Sequence, residues 1–84
     1  MVIYMDKLEF EIQDLKIRKS IAEHIDNYLK TNNISNMEFA KQFSIDEKAV
    51  RKWRSAESYP SHKFLPTICD MLDITLDELF GRNK

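Results

Sequence analysis

The chain has 84 residues, 43% hydrophobic and 32% charged, with a formal net charge of −1. This length allows one domain with a modest core, and the composition is that of a folded protein. One glycine and two prolines are too few for the turns of a β-sandwich or barrel, and one cysteine excludes an internal disulfide. No apolar run could cross a bilayer or form a signal peptide, so we expect a cytoplasmic protein with no membrane partner.

The N-terminal residues have the pattern of β-structure. Residues 7–12 alternate polar and apolar side chains, which is the period of a half-buried strand. Residues 2–5 are also β-prone, so the two segments could pair as a short hairpin. A helical interpretation stays open, because Leu8, Ile12 and Leu15 would share one face of a helix. We favour the strand.

From residue 15 onward the period changes to that of amphipathic helices, of which we predict five. The first extends to about residue 30, and the others are short. We therefore divide the chain into an N-terminal extension, residues 1–14, and an all-α bundle, residues 15–84. The predicted inward-facing residues are Ile17, Ile21, Ile25, Tyr28, Leu29, Phe39, Ala40, Phe43, Ile45, Ala49, Val50, Trp53, Phe64, Leu65, Ile68, Cys69 and Leu72.

Two helix-start signals lie close together in residues 35–54. Ser35 and Glu38 have the spacing of a capping box, and Asp46 is a second N-cap candidate eleven residues later. Only a tight turn fits between the two short helices, so they must cross steeply, as in a helix-turn-helix. This geometry pushes the second helix outward, where it could enter a groove. The net charge of residues 35–63 is +2, so the basic residues concentrate in this part of the chain.

Residues 21–80 resemble the Cro/CI-type, or XRE-like, helix-turn-helix domain of phage repressors, whose fold is the five-helix lambda-repressor-like bundle. The resemblance rests on three groups of residues: Ile21, Ile25 and Tyr28; Ser35-Asn36-Met37-Glu38-Phe39-Ala40 followed by Val50 and Trp53; and Pro60 followed by Phe64-Leu65-Pro66 and Leu72-Asp73-Ile74-Thr75-Leu76-Asp77-Glu78-Leu79. The chain departs from the family pattern at Asn36, Ser44, Arg54 and Ala56.

The resemblance implies a recognition helix at about residues 46–54 that lies in the major groove. Its candidate base contacts are Glu47, Lys48, Arg51 and Lys52, since long cationic side chains can donate to guanine and a glutamate can accept from cytosine. The candidate phosphate contacts are Asn36, Ser58, Tyr59, His62 and Lys63. The alternative is that these residues form an ordinary solvated helix face and a polar loop.

No pattern in the sequence points to an enzyme, a metal or another cofactor. Cys69 lies on the predicted inner face of the fourth helix, and neither histidine is spaced to form a catalytic pair or a zinc site with it. Gly81 is the only glycine, so no phosphate-binding glycine loop can exist.

We therefore expect a sequence-specific regulator of transcription, repressor-like, that binds double-stranded DNA. One helix in one groove reads few base pairs, so we expect a homodimer, with residues 2–12 as the candidate contact. The main alternative is a protein-interaction module that kept the fold and lost DNA binding. A third hypothesis is an antitoxin-like protein that binds a second protein through its N-terminal strands.

Overall fold

The computed structural model describes residues 6–82. The helices are α1 (Lys7–Thr31), α2 (Asn36–Phe43), α3 (Glu47–Arg54), α4 (Leu65–Leu72) and α5 (Leu76–Leu79), with one turn of 3₁₀ helix at His62–Phe64. No strand occurs between residues 6 and 82, and the predicted all-α bundle of five helices is confirmed. None of the helices in this part of the chain combines the length and the apolar character that a membrane span needs.

The strand predicted for residues 7–12 is wrong, because these residues form the first turns of α1. Asp6 caps the helix, and its side chain accepts a hydrogen bond from the backbone N–H of Glu9 at 2.8 Å. The alternation is only six residues long, and its charged residues are good helix formers. No turn separates it from the next helix, so α1 continues through residues 14 and 15 unbroken. The other half of the predicted hairpin, residues 2–5, lies outside the described residues.

The core lies where the second half of α1 meets the other four helices. Residues 21 to 29 of α1 supply a stripe of buried side chains with helical spacing. The buried apolar residues are Ile21, Ala22, Ile25, Leu29, Phe39, Ala40, Val50, Trp53, Ile68, Cys69 and Leu79. The apolar periodicity predicted most of this core. By contrast, residues 6–13 are all exposed, so α1 extends beyond the part of itself that the bundle covers.

The capping box predicted at the start of α2 is present. The Ser35 hydroxyl accepts from the backbone of Glu38, and the Glu38 carboxylate accepts from the backbone of Ser35, both at 3.1 Å. The turn after α2 places Ser44 in the left-handed region, at φ 56°. A left-handed non-glycine residue costs roughly 1–2 kcal/mol. The hydrogen bond from the backbone of Ile45 to the Ala40 carbonyl closes this turn at 3.2 Å.

Four aromatic rings join α2, α3 and the turn before α4. The Phe43 ring centroid lies 5.1 Å from that of Phe39 and 5.1 Å from that of Phe64. Trp53 of α3 meets Phe39 edge to face, with centroids 6.4 Å apart. Such contacts between aromatic rings add about 0.5–1.5 kcal/mol each beyond area burial. They hold α3 at a fixed angle against α2.

Candidate nucleic-acid interface

The orientation of α3 about its own axis is set by two buried side chains. Val50 and Trp53 are 0% and 4% exposed, and Trp53 packs in the aromatic cluster. At about 100° per residue, the opposite side of the helix belongs to positions 47, 48, 51 and 52. Lys48, Arg51 and Lys52 are exposed there, and Glu47 is half-buried. The structure therefore brings the four predicted base contacts together on one outward face, the α3 outer face (Glu47, Lys48, Arg51 and Lys52).

The two lysines of this face have no acidic partner among residues 6–82. Asp46, two residues before Lys48, acts as the predicted N-cap and accepts from the backbone N–H of Lys48 at 2.9 Å. Its charge is thus directed into the first turn of α3, where the helix dipole favours it. The ammonium groups of Lys48 and Lys52 remain available to an outside anion.

The other two residues of the α3 outer face contact each other. Arg51 Nη2 lies 3.2 Å from Glu47 Oε1, and both side chains are partly exposed. An exposed pair with this i, i+4 spacing contributes only about 0.3–0.5 kcal/mol. A guanine or a phosphate could therefore replace Glu47 as the partner of Arg51 at little cost.

Arg54 is a residue of this region whose role the sequence did not reveal. Its Nε donates to Asp26 of α1 at 2.9 Å, its Nη1 donates to Asn36 at 2.7 Å, and its Nη2 also contacts Asp26. Hydrogen bonds from Arg54 and then from Lys30 hold the pKa of Asp26 below its ordinary value. Arg54 therefore ties the end of α3 to α1 and to the first residue of α2. The only sequence signal was its departure from the family pattern.

Asn36, a predicted phosphate contact, is oriented by this contact. Its side-chain oxygen accepts from Arg54, so its amide nitrogen is directed away from the guanidinium. No residue between 6 and 82 accepts a hydrogen bond from that nitrogen. An amide N–H₂ group at the first residue of a helix is a suitable donor to a phosphate oxygen.

The loop after α3 is held by α1. The Arg18 guanidinium donates to the carbonyl of Ala56, which has a φ of 64°, and Arg18 Nε lies 2.9 Å from Asp14. The Tyr59 hydroxyl donates to the same Asp14 carboxylate. Burial and this hydrogen bond raise the pKa of Tyr59 to about 12, and the bond from Tyr59 lowers the pKa of Asp14.

The remaining phosphate candidates lie further along the same loop. Ser58 is half-buried, and His62 and Lys63 are exposed in the 3₁₀ turn before α4. Lys63 Nζ lies over the Phe64 ring, 5.3 Å from its centroid. This cation–π contact orients the ammonium group and leaves it exposed. Lys63 is thus the phosphate candidate of this loop with a charge free to bind an anion.

Comparison with known proteins identifies one family and one relative. The family model described as the Cro/C1-type HTH DNA-binding domain matches residues 24–84. The chain is 34% identical over 62 residues to the cryptic phage CTXphi transcriptional repressor RstR of Vibrio cholerae serotype O1. That alignment covers 74% of this chain but 55% of the repressor, so the chain spans about half the length of that relative. No solved structure matches the chain.

Proposed function

Because the chain belongs to the Cro/C1-type helix-turn-helix DNA-binding domain family, we propose that it binds double-stranded DNA sequence-specifically and represses transcription. The observation that carries this proposal is the α3 outer face, where Lys48 and Lys52 are exposed with no carboxylate partner in the described residues. We further propose that the protein acts in the cytoplasm, without an enzymatic activity of its own.

In this proposal α3 lies in the major groove and its outer face meets the base edges. Arg51 and the two lysines can donate to guanine O6 and N7, and Glu47 can accept from cytosine N4. Arg51 leaves Glu47 when it binds a base, which frees the carboxylate for a neighbouring cytosine. The exchange replaces one weak surface pair by contacts of about 1–3 kcal/mol of discrimination.

Phosphate contacts on both sides of α3 set the register of the protein on the duplex. We assign them to the amide of Asn36 and the ammonium group of Lys63, with Ser58 and His62 as weaker donors. Tyr59 acts differently. Its hydroxyl proton is given to Asp14, and phosphate oxygens only accept hydrogen bonds, so we assign Tyr59 to holding the loop in place.

A single α3 contacts only a few base pairs, so we propose that a homodimer reads two half-sites about 34–36 Å apart. Selection of bound duplexes from a random pool, followed by gel shifts on the selected site, tests this function. Binding to random duplex should weaken steeply between about 50 mM and about 200 mM salt. Absence of binding at both concentrations would favour the protein-interaction module.

The decisive variant for this proposal is Lys52→Ala, and Lys7→Ala is its matched control. Both remove one exposed lysine. Lys7 lies far from α3. It is 19 residues before Asp26, the residue of α1 that contacts Arg54 of α3, and this separation is about 28 Å along the helix. Only the first variant should weaken binding to the selected site. Equal binding by both variants would contradict the placement of α3 in the groove.

A further inference from the structure

The first half of α1 exposes a stripe of apolar side chains that the bundle does not cover. Leu8, Ile12 and Leu15 are 65%, 47% and 40% exposed. Their spacing of four and then three residues places them on one face of the helix, and Lys19 continues the same line. We name Leu8, Ile12 and Leu15 the N-terminal stripe. The 4–3–4 spacing is the seam spacing of a two-stranded coiled coil.

Charged residues flank the N-terminal stripe in a directional pattern. Glu9 and Lys16 lie along one edge, and Glu11 and Arg18 lie along the other. On each edge the acidic residue is nearer the N-terminus and the basic residue is nearer the bundle. Residues 6–14 hold four acidic side chains and one basic one, a net charge of −3, whereas residues 15–20 hold three basic ones, +3.

We propose that two copies of the protein pair through the N-terminal stripe as antiparallel helices. In the register that we assign, Ile12 of each copy packs against Leu15 of the other. Leu8 then lies against the aliphatic part of Lys19, whose ammonium group reaches solvent. The first turns of each copy, with a net charge of −3, face residues with a net charge of +3 in the other.

The flanking pairs distinguish this register from the parallel one. In the antiparallel pair Glu9 faces Lys16 on one edge and Glu11 faces Arg18 on the other, so two-fold symmetry gives four attractive pairs. Arg18 is already bound to Asp14, so Glu9–Lys16 is the stronger of the two. In a parallel pair, Lys19 of one copy would lie against Lys19 of the other, and the acidic first turns of the two copies would lie side by side. Repulsion between like charges disfavours this arrangement.

The register also gives a spacing that suits the proposed function, on which this step of the inference rests. The two-fold axis crosses α1 between residues 13 and 14. Asp26, which holds Arg54 of α3, lies about 19 Å from that point along the helix, so the two Asp26–Arg54 contacts are about 38 Å apart along the paired helices. Two recognition helices must lie about 34–36 Å apart to read successive major grooves. The buried side of α1, which carries Ile21, Ile25 and Leu29, lies roughly a quarter-turn around the helix from the N-terminal stripe, so the two-fold axis leaves both bundles on the same side of the pair.

Variants that reverse the charge of one flanking residue test the proposal without DNA. The measurement is sedimentation equilibrium of the full chain at concentrations from micromolar to millimolar, since three apolar side chains per copy make a small interface. The unmodified chain should dimerise. Glu9→Lys and Lys16→Glu should each raise the dimer dissociation constant about tenfold or more, because each places like charges together twice. Circular dichroism should show the same helix content, as both side chains are exposed.

The two single variants mixed together should recover dimerisation, since in the mixed pair both contacts are attractive again. The double variant Glu9→Lys with Lys16→Glu in one chain should recover it as well. Ile12→Glu should leave the chain monomeric at all concentrations. A monomeric unmodified chain, or variants that dimerise like it, or no recovery in the mixture, would each overturn the proposal. Failure to bind DNA would leave this result unaffected, so the two proposals fail separately.

Discussion

Arg54 at the end of α3 donates two hydrogen bonds to Asp26 of α1, a residue 28 positions earlier in the chain. The aromatic cluster fixes the middle of α3 through Trp53, and this contact fixes its C-terminal end. The same guanidinium turns the Asn36 amide, so it orients a candidate phosphate donor as well. The Arg54 side chain thereby fixes the positions of α3 and of the start of α2 relative to α1.

Replacing Arg54 by alanine should destabilise the fold and weaken binding to every DNA sequence. We expect the free energy of unfolding to fall by about 1 kcal/mol, because charge-assisted hydrogen bonds are lost from a partly exposed site. Urea unfolding measures the change. Lys30→Ala is the matched control, since Lys30 also lies 3.0 Å from Asp26 but its side chain is 71% exposed. A control variant that loses as much stability would show that Arg54 has no special role.

Tyr59 should make the stability of the protein depend on alkaline pH. The pKa of Tyr59 is about 12 in the folded protein and about 10 in the unfolded chain, so its contribution to the free energy of unfolding is complete below about pH 10. The contribution is lost as the pH rises from 10 through about 12. Urea unfolding should therefore show that the advantage of the unmodified chain over Tyr59→Phe shrinks across this window. An advantage that stays constant would contradict the Tyr59–Asp14 hydrogen bond.

Lys52→Ala should reduce sequence preference as well as affinity. We expect a loss of about 1–3 kcal/mol on the selected site, because a donor to a base edge is removed. Gel shifts on sites with single base-pair changes should show relaxed preference at one position only. An equal loss on all of these sites would instead assign Lys52 to a phosphate.

Lys63→Ala should weaken binding to all sequences alike. Removing one cation from a phosphate contact reduces the slope of log K against log salt concentration by about 1. Titrations on selected and random duplexes at several salt concentrations measure this slope. Base-specific loss, or an unchanged slope, would contradict the phosphate assignment of Lys63.

Local sequence patterns predicted the helices and their ends well. A capping box needs only two residues three positions apart, so the pair Ser35–Glu38 could be predicted without knowing the fold, and it is present. Apolar spacing likewise predicted the buried side of α3, whereas the four residues of its outer face were expected from the resemblance to the family. The same approach failed for residues 7–12, because the alternation of Leu8, Phe10 and Ile12 fits a strand, whereas Leu8 and Ile12 also share a helix face with Leu15, and six residues are too few to decide between the two.

Contacts between distant residues could not be predicted in this way. Arg54 meets Asp26 across 28 positions, and Tyr59 meets Asp14 across 45, which no local period encodes. Their partners depend on how α1 packs against α3. Only the tertiary structure therefore showed that Asn36 and Lys63 have free donor groups and that the hydroxyl of Tyr59 is bound to Asp14. Helix caps and helix faces follow from residues that are neighbours in the chain. The partner of a charged or polar side chain instead depends on which residues the packing of the helices brings close to it.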